Sequence, residues 1–309
     1  MKPTASRILV ASTLLALAAC RPSEPLPVDA GIPLELAEAR SETIEDVRYL
    51  FSLRIPEPRE DPIQGMAEIS FRWDDPQDRD VVLDFMRPGE RVHRARVNGV
   101  ETAVTFANDH IIVPAASLEG GGANVVELEI TAGDEALNRN DGFLYTLFVP
   151  DRAHFSLPVF DQPDLKARVT WNLTLPGHWS AIANGAFVDS ARAADAPVLR
   201  MRFAESEPVP TYLMAFSAGD FLVETSERDG RSMEMFHRET DVEKVARNRD
   251  AIFDLHWAAI DWLEEYTGID YPFQKIGFVL IPPFQYGGME HPGAVTYRAS
   301  SLFLEESAT

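Results

Sequence analysis

Arg168-Val169-Thr170-Trp171-Asn172-Leu173-Thr174-Leu175 decides how the first two thirds of this 309-residue chain are read. Val169, Trp171, Leu173 and Leu175 alternate with polar residues, so a pleated strand sets four apolar side chains on one face and four polar ones on the other. Ile69, Phe71 and Trp73 alternate in the same way with Glu68, Ser70 and Arg72. Working outward, further strands are expected at 80–85, 110–114, 124–131, 199–204, 211–217 and 220–225. Asn98-Gly99 suits a tight hairpin and Gly120-Gly121-Gly122 a looser one. Short strands divided by turn signals, with no internal repeat, predict an all-β, sandwich-like domain over residues 46–225.

From residue 226 the period changes. Ser232 to His237 reads as a strand, and Thr240-Asp241-Val242-Glu243 as a capping box at a helix start. Val245, Ile252, Leu255, Ala259, Trp262, Leu263 and Tyr266 recur at helical spacing, and Gly268 is placed to end the helix. Lys275 to Ile281 reads as a buried strand stopped by Pro282-Pro283. A loop, Gly287-Gly288-Met289-Glu290-His291-Pro292-Gly293, and a short strand at 294–297 follow. One helix and a few strands bury too little surface to stand alone, so 226–309 is expected to be the beginning of a larger α+β domain.

The N-terminus predicts export. Lys2 and Arg7 precede an uncharged apolar stretch from Ile8 to Ala19, too short for a permanent span and suited to a signal peptide over 1–19. Leu17-Ala18-Ala19-Cys20 reads as a lipobox, with lipid on Cys20, the chain's one cysteine. Residues 20–45, opening on Arg21-Pro22-Ser23-Glu24-Pro25-Leu26-Pro27, are expected to form an extended tether. The expected location is the bacterial cell envelope, with the lipid holding the protein at a membrane, at the outer membrane or the periplasmic face. A formal net charge of −21 argues against nucleic acid as a partner.

The glycine loop is where chemistry becomes arguable. Adjacent Gly287 and Gly288 let a backbone approach a ligand closely, and Glu290 places a carboxylate beside them. Gly287-Gly288-Met289-Glu290-His291 resembles the Gly-x-Met-Glu-Asn exopeptidase motif of the M1 family of zinc aminopeptidases. Pro158-Val159-Phe160-Asp161-Gln162-Pro163-Asp164-Leu165-Lys166-Ala167 is similar to another segment of that family. So are Ile182-Ala183-Asn184-Gly185, Thr211 to Phe216 with Gly219-Asp220-Phe221, and Tyr271-Pro272-Phe273-x-Lys275, all in the family's order.

The resemblance implies a saddle-like β domain leading into a thermolysin-like catalytic domain that removes N-terminal residues from peptide substrates. It implies that Gly287, Gly288, Met289, Glu290 and His291 line the substrate, with Glu290 holding the free α-amino group. It also implies zinc held by a His-Glu-x-x-His helix and a further glutamate, with the zinc activating a water. No such motif occurs in the sequence, and none of the seven histidines has a partner four residues along. The zinc ligands are therefore expected beyond Thr309, with no catalytic and no metal residue within this chain. Two local departures bear on selectivity. Leu147 and Val149 stand where many members carry Gln-x-Glu, which leaves out a second amine-binding carboxylate; Asp141 and Asp151 are nearby candidates. His291 replaces the usual asparagine and could change its charge with pH. Phe284 and Tyr286 are candidates for the wall of a substrate pocket. The alternative reading is a non-catalytic lipoprotein of M1-like form that binds peptides or proteins.

Overall fold

A computed structural model describes residues 25–192 and 197–306. The signal peptide and Cys20 lie outside the described residues. An eight-stranded sheet dominates the first part, with strands in the order 187–192, 198–203, 168–176, 44–54, 64–73, 122–131, 92–97 and 100–101. The stretch Arg168–Pro176 is one of its central strands and runs parallel to Ile44–Arg54, with Phe51 opposite Trp171 and Leu53 opposite Leu173. Burial alternates along both strands, as the period of two demands. Phe51 and Trp171 pack at 5.2 Å, and Trp171 meets Phe216 at 4.8 Å. Each such side chain withdrawn from water contributes about 1.5–3 kcal/mol, so this row anchors the largest core. Two three-stranded sheets complete the domain. The β-rich architecture expected from the alternation is what the chain adopts.

Several elements differ from expectation. Asn98-Gly99 is a tight hairpin, both residues at positive φ, between strands that pair Val97 with Val100. Gly120-Gly121-Gly122 is not a hairpin; it carries the chain from a 3-10 turn at Ala115–Ser117 into strand Gly122–Thr131. The strand expected at 211–217 is a 3-10 turn, Thr211–Leu213, followed by strand Phe216–Gly219, because Pro210 fixes the entry to a turn. The strand expected at 220–225 to close the first domain is Leu222–Arg228. It pairs with Arg231–His237 and so belongs to the second domain's sheet.

The largest difference lies in the expected tether. Leu34–Thr43 is a helix, with Leu36, Ala39, Arg40 and Thr43 on its buried side, and strand Ile44–Arg54 follows at once. Arg40 is 1% exposed. Its guanidinium donates to both oxygens of Asp84, at 3.0 and 2.6 Å, and to the Val82 carbonyl. Asp84 also accepts from His110 Nδ1 at 2.9 Å and from the Asp161 backbone at 2.8 Å. Burial opposes the Asp84 charge, yet the guanidinium and these hydrogen bonds hold its pKa at about 2. His110 Nε2 reaches the Asp29 carbonyl at 3.0 Å, which ties the chain's entry to the same knot. Burial works against the His110 charge, but Asp84 and the Asp29 carbonyl outweigh it and raise its pKa. Asp161 takes the Thr211 hydroxyl at 2.6 Å and the His154 ring at 2.7 Å, while Gln162 Nε2 donates to Ala37 and Ser41. The segment from Pro158 to Ala167 thus binds the entry helix to the β domain.

The second part is a five-stranded mixed sheet in the order 222–228, 231–237, 276–281, 295–298 and 288–289. Strand Arg231–His237 runs parallel to Ile276–Ile281, so a crossover must join them, and helix Val242–Thr267 supplies it. The helix is capped one residue after the expected position, by Asp241, and the Asp241 side chain accepts from the Glu243 and Lys244 amides. It ends at Gly268, with φ +68°. Val245, Ile252, Phe253 and Trp257 are buried against the sheet. The expected apolar stripe splits, because Leu255, Trp262, Leu263 and Tyr266 face outward, with Trp262 and Tyr266 stacked at 4.9 Å. No described helix is long and apolar enough to cross a membrane. A mixed apolar cluster joins the parts: Tyr145, Leu147 and Ile182 of the first pack with Phe236, Val279, Ile281, Phe284 and Met289 of the second.

Candidate functional site

The glycine loop begins where Pro282-Pro283 ends the buried strand and doubles back as a short edge strand. Gly288 and Met289 pair antiparallel with Tyr297 and Thr296, so their other edge is open among the described residues. Alternation continues through the loop. Met289 and His291 turn inward and are buried, whereas Gly287, Gly288 and Glu290 are exposed. Among the described residues the Glu290 carboxylate has neither a hydrogen bond nor an ion pair, which leaves it available to a ligand. Phe284 packs against Tyr145 at 5.6 Å and belongs to the core. Tyr286 is 44% exposed and stands on the loop's surface, so of the two aromatic candidates only it is free to meet a ligand.

His291 is fully buried, with Nδ1 3.3 Å from the Thr296 hydroxyl and Nε2 without a partner. Burial alone pushes its pKa down to about 3, so the ring stays neutral. The expectation that His291 could change its charge with pH therefore does not extend to neutral pH, since a charge on the buried ring would be desolvated with nothing to offset it. Its part is to tuck the loop beneath Glu290.

Three further sets of contacts fix the loop. Arg298 donates to the Phe284 and Gln285 carbonyls at 3.0 and 2.9 Å, and its backbone amide to Gly287 at 3.1 Å, which holds the entry. The exit is a tight turn from His291 to Ala294, closed at 3.1 Å, with Pro292 and Gly293 in the middle and Gly293 at φ +72°. A Cβ on Gly293 would lie 2.3 Å from the Asn184 carbonyl oxygen, so glycine is required by both dihedral and space. Asn184 Nδ2 donates to the Pro292 carbonyl at 3.0 Å, and the Lys275 amine donates to the Gly293 carbonyl. Sequence reasoning singled out the segments holding Asn184 and Lys275 but not these contacts. Arg298 carried no signal, because its partners lie across a loop that only folding brings back.

Position 149, where the second carboxylate is missing, is a partly buried Val149 packed against the mixed apolar cluster, so it supplies no charge. Asp141 sits 3.9 Å from Arg59, and Asp151 is exposed at a turn. The other histidines of the second part are engaged separately. His256 Nδ1 donates to the Ile252 carbonyl at 2.7 Å and stacks on Phe278. His237 packs on Phe303 and accepts from the Glu239 amide at 3.2 Å. Burial lowers the pKa of both. No three His, Cys, Asp or Glu side chains converge to hold a metal among the described residues, so the donors here do not compose a zinc site.

Two family models match the sequence. Residues 135–213 match the Peptidase M1 N-terminal domain, and residues 252–309 the Peptidase family M1 domain. Aminopeptidase N of Streptomyces lividans is 30% identical over 241 residues, which is 72% of this chain and 26% of that protein. Puromycin-sensitive aminopeptidase of Caenorhabditis elegans is 30% identical over 165 residues, 53% of this chain and 17% of that protein. Leucyl aminopeptidase of Saccharolobus solfataricus is 28% identical over 236 residues, 74% of this chain and 29% of that protein. The chain thus spans 26%, 17% and 29% of these relatives' lengths.

Proposed function

Because this chain is M1-family peptidase sequence in both of its parts, we propose that it supplies the substrate-recognition edge of a metallo-aminopeptidase. The observation that carries the reading is the exposed Glu290 carboxylate, unpartnered among the described residues, at the end of an edge strand whose neighbours, Met289 and His291, are buried. A peptide's first residues add to the open edge of Gly288-Met289 through backbone hydrogen bonds. Its terminal ammonium then meets Glu290 through charge-assisted bonds that an internal peptide bond cannot make. With Val149 standing where the family carries a second carboxylate, Glu290 bears most of that recognition. Zinc, the metal of the family, would activate the water, and its ligands are proposed to come from beyond residue 309. We propose further that Cys20 carries lipid and holds the enzyme at a membrane of the bacterial cell envelope, where peptides are its substrates.

Kinetics of the complete protein on an amino-acyl anilide and on its N-acetylated twin test the reading. Removing one partner of a desolvated charge pair costs about 2–5 kcal/mol, so Glu290→Ala should lower kcat/KM on the free amine roughly 30- to several-thousand-fold, at unchanged zinc content. A change within a few-fold, or an equal loss on the acetylated twin, would remove Glu290 from amine recognition.

A further inference from the structure

Two of the segments picked out in the sequence, around Asn184 and from Tyr271 to Lys275, have no place in the chemistry above, yet both end on adjacent carbonyls of the glycine loop. Asn184 lies at the tip of strand Ser180–Ala183 in the β domain and is 4% exposed. Its Oδ1 accepts from the Ala215 amide at 2.6 Å and from Trp171 Nε1 at 3.4 Å. Its Nδ2 donates to Leu213 at 2.9 Å and, across the boundary, to Pro292 at 3.0 Å. The side chain therefore hangs from the largest core by three contacts and holds the loop by the fourth.

The Lys275 amine donates to the next carbonyl, that of Gly293. Gly277 leaves the room it needs, for a Cβ there would stand 3.1 Å from the Lys275 amine and 3.2 Å from the Gly293 oxygen. The Tyr271 hydroxyl donates to the Lys275 carbonyl at 3.1 Å. Burial lowers the Lys275 pKa to about 8, and the Glu234 charge works against the shift.

We propose that Asn184 and Lys275 are positioning residues that clamp Pro292-Gly293 between the two domains and so fix the direction in which Glu290 points. The β domain is then a working part of the substrate site rather than a support beside it. The clamp rests on the amine-recognition reading for its purpose, and on the contacts alone for its existence. Without it the turn loses its hydrogen bonds to the β core, while the edge strand keeps its pairing with Thr296 and Tyr297 and the Arg298 contacts keep the loop's entry.

Hydrogen exchange on the complete protein separates the two. Asn184→Ala and Lys275→Met should each speed exchange across residues 286–294 by about 10-fold or more, the effect of losing one or two buried hydrogen bonds. Peptides from 44–54 and 168–176 should keep their protection, which distinguishes a released loop from an unfolded domain, and Lys275→Arg should restore most of the loss. In the complete enzyme both variants should raise KM for the free-amine anilide more than they lower kcat, and spare its acetylated twin. Unchanged exchange in the loop, or equal acceleration in the central strands, would overturn the clamp. A responsive loop beside an inert Glu290→Ala would keep the clamp and remove the amine reading.

Discussion

Replacing Arg40 by methionine would leave the Asp84 carboxylate 1% exposed in the β core with its strongest partner gone. Arg40 makes two bonds to that carboxylate and two to the Val82 carbonyl, and its guanidinium lies 5.5 Å from the Phe160 ring centre. Breaking one partner from a buried ion pair costs about 3–5 kcal/mol, because the remaining charge is desolvated without compensation. At about 2–4 °C per kcal/mol for a body of this size, melting should fall by roughly 6–20 °C. The pH dependence offers a sharper test. In the parent, Asp84 is depressed to about 2 from 3.8, so its stabilisation is complete above 3.8 and fades as pH falls toward 2. Without Arg40, burial is the largest remaining influence and raises the Asp84 pKa, so the slope of stability in that window should flatten or reverse. The double variant Arg40→Met with Asp84→Asn should recover part of the loss, since the stranded charge is removed. Urea titrations at several pH values read all of these. A single-variant loss below about 1 kcal/mol, or a double variant weaker than the single, would refute a knot built on charge pairing.

His110, whose pKa is raised, supports the fold below about 6.5 and loses that contribution as pH rises through its folded pKa. Exchange across 28–43 should therefore increase between pH 6 and 9, after correction for the intrinsic rate, and His110→Asn should abolish the trend; a flat profile in the parent would contradict it. Asp241→Ala removes the cap of the long helix and should cost about 1 kcal/mol in denaturant unfolding, and no measurable change would show the cap idle. Cys20→Ala should abolish metabolic labelling with fatty acid and partition into detergent. Membrane fractionation identical to the parent's, without lipid label in either, would dismiss the anchor.

The sequence exposes those elements whose burial follows residue polarity. Val169 to Leu175 could be read because inward positions are apolar and outward ones polar, and the first half of the long helix for the same reason. Its second half misled, since Trp262, Leu263 and Tyr266 are apolar yet exposed. The entry helix was hidden for the converse reason. Its buried positions, Leu36, Ala39, Arg40 and Thr43, have helical spacing, but two of the four are polar: Thr43 bonds back to the Ala39 carbonyl, and Arg40 is satisfied by groups more than 40 residues away. At the site, the loop could be found from Gly287 to Gly293, whereas the inward turn of His291 and the hold of Asn184 on Pro292 depend on contacts between distant segments. Residue type offers no trace of them.

The parallel pairing of Ile44–Arg54 with Arg168–Pro176 has a consequence for the order of events during synthesis. One edge of the earlier strand can be covered by its hairpin partner, Gln64–Trp73, almost as soon as both are made. The other edge waits for a partner that is translated roughly 120 residues later, on the order of 6–25 s at ordinary ribosome speeds. Through that interval the strand that becomes central is an exposed edge, open to pairing with whatever extended segment comes near. A chain kept unfolded until its whole length is available would meet both neighbours together and never pass through that state.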